Sequence, residues 1–305
     1  LRDYDTPGQL GLEVHVNAWV DQLQEVAAEV RRVLVPTGTF WLNVADTYST
    51  HMSQGANRKS LLLGPERLGL ALVEDGWRLR NKIVWQKANP MPHSVSDRLT
   101  CTWEAIYVFA RDDHYFFDLD AVRRPHRTEA PKPKPGRRIR TKREQWRGPN
   151  TYDTTGLARL KALGRVGHPL GKNPGDVWTM ATANFRGEHF AVFPTGLVTP
   201  PLLATCPEKV CARCGTPWSR SPVRTVGRLA VRGELRRGCR CRAATRPGVV
   251  LDPFFGSGTV GVVAQTHGRD WIGIELNPAF AQLARERITT ARHSADRSTA
   301  TRAAA

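Results

Sequence analysis

The feature that most constrains the fold is a glycine-rich loop between a short apolar strand and a helix near the C-terminal end of the chain. Residues 248–251 have the composition of a buried strand, and residues 259–267 have a helical pattern. Glycines in such a loop let the backbone approach a ligand without a Cβ in the way. Open α/β sheets bind ligands at the carboxyl ends of their strands, so this loop is the predicted cofactor site. Its candidate contact residues are Asp252, Pro253, Phe254, Gly256, Ser257, Gly258 and Thr259.

A second predicted strand, residues 270–276, follows the helix and carries Glu275 near its end. A carboxylate in that place can accept hydrogen bonds from both hydroxyls of a ribose. A lone Gly-x-Gly is weak evidence, but a strand, this loop, a helix, a second strand and a terminal Glu in that order are strong evidence for a nucleotide-like cofactor. The alternative interpretation is a structural turn in an unrelated α/β protein.

Both ends of the chain alternate between helical and strand patterns, which is typical of an α/β protein. Near the C-terminus, Pro278 begins a helix that is expected to end at Ile288, and residues 291–305 are expected to form a disordered tail. The first 125 residues predict a helix over 20–34, a strand over 39–44, a helix over 65–74 and strands over 77–85 and 105–110.

The chain carries a large positive charge, which indicates partners made of phosphate. Its 45 Lys and Arg outnumber its 28 Asp and Glu, for a net charge of +17. No stretch supplies the roughly 18 apolar residues of a spanning helix, so we expect no membrane partner. Much of the charge lies in a proline-rich segment, residues 123–147, which is either a solvated insert or an arm that contacts DNA. The candidate DNA contacts are Arg137, Arg138, Arg140, Lys142 and Arg143.

Four of the six cysteines form two close pairs, a pattern that indicates metal binding in a reducing compartment. The Cys211-x-x-Cys214 turn directs two thiolates toward one point, and Cys239 and Cys241 complete the four sulfurs of a tetrahedral zinc site. The second pair has one intervening residue where two are usual. Redox chemistry is the less favoured alternative, because Cys211 does not open a helix in a thioredoxin-like βαβ unit.

On these residues the chain resembles the DNA amino-methyltransferases, which use S-adenosylmethionine to methylate cytosine N4 or adenine N6. The Asp252 loop resembles the first cofactor motif of that family, and residues 274–278 resemble its ribose-binding strand end. Residues 189–194 resemble the segment that packs by the methionine end of the cofactor. The resemblance therefore implies further cofactor contacts from His189, Phe193 and Asn277.

The order of the motifs resembles the permuted group of this family, often called β, because the cofactor motif lies near the C-terminus. Residues 43–48 and 85–92 also match family segments, whereas Trp103-Glu104 stands where relatives commonly have His-Glu. The resemblance implies a Rossmann-like class I methyltransferase sheet with an inserted zinc-ribbon-like module. The expected divisions are a catalytic half over 1–122, a basic insert for target recognition over 123–175, a segment packing by the cofactor over 176–205, the zinc module over 206–246, the cofactor half over 247–290 and the tail over 291–305.

The catalytic motif of the family is not found in this sequence. Relatives use Ser, Asp or Asn followed by Pro-Pro and an aromatic residue, which together bind the target amine and stack on a flipped base. The nearest string, residues 199–202, has no aromatic residue. In relatives Leu-Arg-Asp-Tyr follows the motif directly. This chain begins with the same four residues, at positions 1–4. The motif is therefore expected upstream of Leu1, and the chain as written is expected to be inactive or very weak.

The resemblance implies a site-specific DNA amino-methyltransferase that acts on double-stranded DNA in the cytoplasm, with a cognate restriction endonuclease as a further possible partner. A non-catalytic nucleic-acid-binding remnant of such an enzyme is the main alternative. An RNA or small-molecule methyltransferase is a third interpretation, which the motif order disfavours, because RNA guanine-N2 methyltransferases carry Asn-Pro-Pro-Tyr after a similar loop and this chain does not.

Overall fold

The computed structural model describes residues 3–4, 6–126, 168–183, 192–226 and 229–303. The chain divides into two compact units. The first comprises Leu1–Ala121, Gly175–Ser219 and Leu235–Ala305, and the second comprises Val122–Pro174 and Arg220–Glu234. The cofactor loop and the four clustered cysteines all belong to the first unit. The five candidate DNA contacts of the basic insert, together with His189, lie outside the described residues.

The first unit begins with a helix, α1, Val16–Val33, that packs on one face of a four-stranded sheet. Three-, four- and seven-residue steps separate its buried side chains, so the apolar stripe faces the core; they are Val16, Trp19, Val20, Ala27 and Val30. Helix α2, Gly64–Glu74, covers the same face through Leu68 and Leu72.

The sheet consists of β1, Thr39–Val44; β2, Arg78–Lys87; β3, Trp103–Ala110; and β4, Val177–Met180. Its strand order is β1-β3-β2-β4, with β3 antiparallel to both neighbours and β4 parallel to β2. Strand β3 is buried on both faces, because Tyr107 and Phe109 pack under α1 and α2 while Ile106 and Val108 face the opposite side.

A third helix, α3, Thr195–Thr205, connects the sheet to the cofactor half of the unit. Its Leu197 packs with Ile83 and Trp178 of the sheet, and its Leu202 packs against Val263. The helix contains Pro200 and Pro201, each of which lacks the N–H of a regular helical hydrogen bond.

In the described part of the chain, six short strands follow α3, and the cofactor half comes after them. The short strands are β5, Val210–Cys211; β6, Ser219–Arg220; β7, Arg224–Val226; β8, Leu229–Val231; β9, Leu235–Arg236; and β10, Thr245–Arg246. The cofactor half consists of β11, Val249–Asp252; α4, Thr259–Thr266; β12, Asp270–Gly273; and α5, Pro278–Ala303.

Strands β11 and β12 are parallel neighbours, with Val249 opposite Asp270 and Asp252 opposite Gly273. In the described part of the chain they form a sheet of two strands, separate from β1-β3-β2-β4. The single Rossmann-like sheet expected from the sequence is therefore seen as two sheets. The coarser expectation of a mixed α/β methyltransferase fold holds.

The C-terminal helix is longer than the sequence pattern suggested. We expected it to end at Ile288 and residues 291–305 to be disordered, but α5 is helical as far as Ala303. The physical reason is that the segment after Pro278 contains no Gly or Pro and is rich in Ala and Arg, which favour a helix. Among the described residues, no helix is long and apolar enough to cross a bilayer.

Candidate cofactor site

The cofactor loop extends the pairing of β11 and β12 before it turns into α4. The Phe255 N–H donates to the Ile274 carbonyl at 2.9 Å, and the Ile274 N–H donates to the Asp252 carbonyl at 3.0 Å. Gly256 and Gly258 have φ values of 51° and 75°, in the left-handed region that favours glycine. The loop thus leaves the end of β11 in a conformation that these two glycines permit.

Close packing fixes the position of the loop on the helices behind it. A Cβ on Gly258 would lie 2.7 Å from the Cβ of Ala284, so α5 touches the loop backbone there. The Phe255 ring points away from the loop and stacks on Trp271, with ring centroids 5.2 Å apart. Phe254 is 53% exposed beside it, which leaves an apolar side chain available to a ligand.

Glu275 holds the loop and the end of β12 together. Its Oε2 accepts from the Gly256 N–H at 2.6 Å, and its Oε1 accepts from the Asn277 N–H at 2.8 Å. Each carboxylate oxygen has two acceptor sites, so one on each oxygen stays available for the hydroxyls of a ribose. The carboxylate therefore fits the role predicted for it, and the two backbone donors fix its orientation.

Asp252 lies at the other side of the same loop. Its Oδ1 accepts from the Phe254 N–H at 3.0 Å. Burial, with a smaller contribution from the negative charge of Glu275, raises the pKa of Asp252 to about 6, against the opposing effect of the Phe254 N–H. A carboxylate that is costly to ionise in the free protein is suited to a ligand that carries positive charge.

Replacing Asp252 with Asn is expected to stabilise the ligand-free protein at neutral pH. Because the folded pKa of about 6 lies above the ordinary value of 3.8, this group lowers stability as pH rises between those values, and the full penalty is present above pH 6. A shift of about two units corresponds to about 3 kcal/mol, so we expect a gain of about 2 kcal/mol in the free energy of unfolding at pH 7.5 and a smaller gain at pH 5. Urea unfolding at both pH values measures this.

Asp270→Asn is the control for that measurement, because Asp270 is exposed at the start of β12. It is expected to leave stability nearly unchanged at both pH values. An equal gain for Asp252→Asn at pH 5 and pH 7.5 would show that the buried charge of Asp252 is not the cause.

A half-buried arginine that sequence patterns did not single out contacts the loop from α5. Arg287 on α5 donates through Nη1 to the Ser257 hydroxyl at 2.6 Å and to the Ser257 carbonyl, and it lies 3.5 Å from the Thr259 hydroxyl. Burial lowers the pKa of Arg287. The hydroxyls of Ser257 and Thr259, predicted to contact the cofactor, are thus directed to this guanidinium and fix the loop.

Asn277 joins the end of β12 to the beginning of the chain. Its Oδ1 accepts from the Ala279 N–H at 2.9 Å, which caps the first turn of α5, and its Nδ2 donates to the Thr6 hydroxyl at 3.3 Å. Beside this contact, the Tyr4 and Phe280 rings meet edge to face at 5.8 Å. The residues next to the predicted ribose site therefore include the first turn of the chain.

Phe193, which precedes α3, is half-buried. It packs against the buried cluster of the four-stranded sheet that includes Ile83, Trp85 and Leu197. Pro253 is half-buried within the loop. Phe193 thus belongs to the core that supports α3, and its predicted contact with the cofactor stays a prediction.

A second polar cluster lies where β1, β2 and β3 meet at one end of the sheet. Lys87 Nζ forms an ion pair with Glu104 Oε1 at 2.6 Å, and Asn43 Nδ2 donates to Glu104 Oε2 at 3.1 Å. Trp103, next to this carboxylate, is 48% exposed. The segments around Asn43 and Lys87 resemble the family and Trp103-Glu104 departs from it, and the structure brings all three together.

The four paired cysteines also come together. The Sγ atoms of Cys211, Cys214, Cys239 and Cys241 all lie within 4.8 Å of one another. None of them is in a disulfide.

Comparison with known families decides what this arrangement belongs to. A family model described as DNA methylase matches residues 7–286, which is most of the chain. The match includes the Asp252 loop with Glu275 and the cluster of Asn43, Lys87 and Glu104. The chain belongs to this DNA methylase family. It is therefore, by family, a DNA methyltransferase that depends on S-adenosylmethionine.

Curated relatives of this DNA methylase are type II methyltransferases. M.Cfr9I from Citrobacter freundii is 31% identical over an alignment of 310 residues, gaps included, which covers 94% of this chain and 77% of the relative. M.SmaI from Serratia marcescens is 32% identical over 309 residues, which cover 94% of this chain and 80% of the relative. The similarity thus extends well beyond the cofactor motif.

A solved structure supports the fold assignment of this DNA methylase. The cytosine-N4-specific PvuII DNA methyltransferase superposes with a TM-score of 0.53 at 15% identity, covering 92% of this chain and 77% of that one. At this identity the likeness concerns the fold, which is that of a DNA methyltransferase.

Proposed function

We propose that this chain is a site-specific DNA amino-methyltransferase of a restriction-modification system, with a catalytic half that precedes its cofactor half in a circularly permuted order. The methyl acceptor is an exocyclic amine, cytosine N4 or adenine N6, in double-stranded DNA. The observation that carries the proposal is the bond between Gly256 and Glu275, which joins a left-handed glycine loop to a carboxylate at the ends of two parallel strands.

When bound, S-adenosylmethionine supplies an electrophilic methyl group on a positively charged sulfonium. Glu275 binds the ribose hydroxyls through the two acceptor sites that its backbone donors leave available. Asp252 places a buried negative charge at the same loop, and Phe254 and Leu276, both half exposed, provide apolar contact on either side. Arg287 keeps the loop in this shape in the absence of ligand.

The acceptor nitrogen is a poor nucleophile because its lone pair is delocalised into the base, so the enzyme must accept its hydrogens and position it. The 305 residues contain no Ser, Asp or Asn followed by Pro-Pro and an aromatic residue. Thr199, which precedes Pro200, is inside α3 and donates its hydroxyl to the Thr195 carbonyl at 3.0 Å. That string is thus structural, and the groups that bind the amine are not assigned within this chain.

The alternative is a non-catalytic nucleic-acid-binding remnant of the same enzyme. Tritiated methyl transfer to DNA distinguishes the two, since incorporation by the 305-residue chain would exclude a remnant.

The proposal has further parts beyond the reaction itself. We infer a target-recognition role for residues 123–175, zinc held by the four cysteines, a cognate restriction endonuclease that cleaves the same site, and action in the cytoplasm, where such DNA lies. The basic insert also supplies a DNA-contacting arm that includes Arg137, Arg138, Arg140, Lys142 and Arg143.

Binding to duplex DNA is expected because of the net charge of +17. Fluorescence anisotropy with a labelled duplex should give an affinity whose logarithm falls linearly with the logarithm of salt concentration, with a slope of about −4 or steeper for four or more phosphate contacts. Single-stranded RNA of the same length is the matched comparison. Tighter binding to the RNA, or no binding to the duplex, would contradict a DNA substrate.

A further inference from the structure

The four cysteines are arranged as a tetrahedral metal site would require. In a Zn(Cys)₄ site the Zn–S bonds are about 2.3 Å, which places the sulfurs about 3.8 Å apart. The four Sγ atoms here lie within 4.8 Å of one another, and each belongs to a free thiol. They come from two segments more than twenty residues apart, Cys211–Cys214 and Cys239–Cys241, so the cluster is a tertiary arrangement and not a local turn.

Backbone hydrogen bonds hold both segments in place. The Cys211 N–H donates to the Thr216 carbonyl at 3.0 Å, and the Gly215 N–H donates to the Cys211 carbonyl at 2.9 Å, which closes a turn with Gly215 at φ 71°. The second segment is attached through β10, where Thr245 is opposite Cys211, and the Ala212 N–H donates to the Ala244 carbonyl at 2.9 Å. The thiols therefore converge on a frame that the backbone supports from both sides.

The surroundings of the cluster are strongly basic. The metal module, which we define as residues 206–219 and 235–246, contains a single carboxylate, Glu208. None of its cationic side chains forms an ion pair with a carboxylate in the part of the chain that the structure describes, and all of them are exposed. They are Lys209, Arg213, Arg236, Arg237, Arg240, Arg242 and Arg246.

An aromatic ring organises part of this surface. Trp218 is flanked by two cations, with Lys209 Nζ 5.6 Å and the Arg237 guanidinium carbon 5.4 Å from its ring centroid. Arg242, directly after Cys241, has a φ of 53°, a left-handed conformation that a non-glycine residue adopts at a cost of about 1 kcal/mol or more. The second cysteine pair thus sets the positions of the arginines between and beside its members.

We propose that Cys211, Cys214, Cys239 and Cys241 bind one structural zinc ion, and that the metal fixes an exposed cationic surface on this module that contacts DNA phosphates. The metal links the two segments, because few side chains of so small a module are buried and packing alone stabilises it weakly. Guanidinium groups without carboxylate partners suit phosphate oxygens, and they contribute affinity without reading sequence. The DNA part of this inference rests on the proposed function, whereas the zinc site, itself one element of that proposal, does not depend on DNA being the substrate.

Metal content tests the zinc site. The full chain, purified from zinc-supplemented culture without chelators, is expected to contain about one zinc per chain by mass spectrometry, and Cys214→Ser with Cys241→Ser is expected to contain less than a fifth of that. Cys101→Ser is the matched control, because Cys101 is an exposed thiol outside the module, and it is expected to keep the full amount. A metal-free wild type that also takes up no Co²⁺, or equal zinc in the double variant, would overturn the site.

DNA affinity tests the surface. Arg237→Ala with Arg240→Ala and Arg242→Ala is expected to weaken duplex binding at least tenfold and to reduce the salt slope by about 3, at about 0.9 per lost phosphate contact. The control is a triple variant outside the module that combines Arg31→Ala, Arg32→Ala and Arg111→Ala. It should change the duplex affinity and the salt slope less than the module variant does. Calorimetric binding of S-adenosylmethionine should be unchanged in both sets, which shows that the fold is intact.

The outcomes separate the two proposals. If the wild type binds DNA and the module variant binds it equally well, the phosphate surface is wrong and the proposed function stands. If the wild type binds no DNA at all, the proposed function fails together with the surface, and zinc content alone decides the metal site.

Discussion

Glu275→Gln is expected to raise the Kd for S-adenosylmethionine by about ten- to a hundredfold while leaving the protein folded. Gln keeps one oxygen for the Gly256 N–H, which Glu275 now accepts at 2.6 Å, but it removes the negative charge and one of the two oxygens needed for a pair of ribose hydroxyls. Hydrogen bonds to charged groups contribute about 1.5–3 kcal/mol, which corresponds to that range. Isothermal titration calorimetry of both proteins measures the change.

Glu74→Gln is the matched control for this variant. Glu74 is exposed at the end of α2, so the substitution removes the same charge from a surface outside the predicted site. Its Kd should equal that of the wild type within error. If Glu275→Gln bound the cofactor as tightly as Glu74→Gln, the ribose assignment would be wrong even though the bond to Gly256 exists.

Gly258→Ala is expected to lower the free energy of unfolding by about 3 kcal/mol and to abolish measurable cofactor binding. The positive φ of 75° costs an alanine about 1–2 kcal/mol, and its Cβ would meet Ala284 at 2.7 Å, which adds the cost of overpacking. Relief of this contact requires α5 to move away from the loop, and Arg287 on the same helix would then lose its position under Ser257.

Gly268→Ala separates the two causes. Gly268 also has a positive φ, 64°, but a Cβ there has no atom within 4 Å. It should therefore cost only about 1–2 kcal/mol and leave cofactor binding unchanged. Equal destabilisation of the two variants in urea would mean that contact between the loop and α5 does not matter.

The sequence predicted the strand, loop, helix and second strand around residues 249–273 because the pattern there is local. A strand, residues 252–259, a helix and a second strand follow one another within thirty residues, and each element has its own apolar pattern. The place of Glu275 followed from the length of that unit, since the ends of two adjacent parallel strands lie side by side. The four cysteines were predictable for a similar reason, because their pairs have a recognisable spacing.

The remaining contacts of the site depend on tertiary packing that no local pattern reports. Arg287 reaches Ser257 across thirty residues, and Thr6 meets Asn277 from the other end of the chain. The Asn43, Lys87 and Glu104 cluster joins three strands whose register becomes known only when the sheet is formed. The available sequence signal for Arg287 was an arginine at a helical position that faces the core. That signal is weak, because basic helices commonly carry arginines on their surface.

The division of the strands into two sheets and the full length of α5 were also beyond local patterns. Which strands pair depends on contacts between distant segments, whereas each strand was detectable separately. The last turns of α5 follow from intrinsic helix propensity, whereas the prediction of a disordered tail rested on composition alone.

The central claim is that residues 252–259 and Glu275 form the S-adenosylmethionine site of a DNA methyltransferase. A calorimetric titration of the purified chain with S-adenosylmethionine tests it most directly, with S-adenosylhomocysteine as the competitor and ATP as the negative control. We predict one S-adenosylmethionine per chain, displaced by S-adenosylhomocysteine, and no heat with ATP. A folded chain that shows no binding of S-adenosylmethionine, or that binds ATP equally well, would contradict the account.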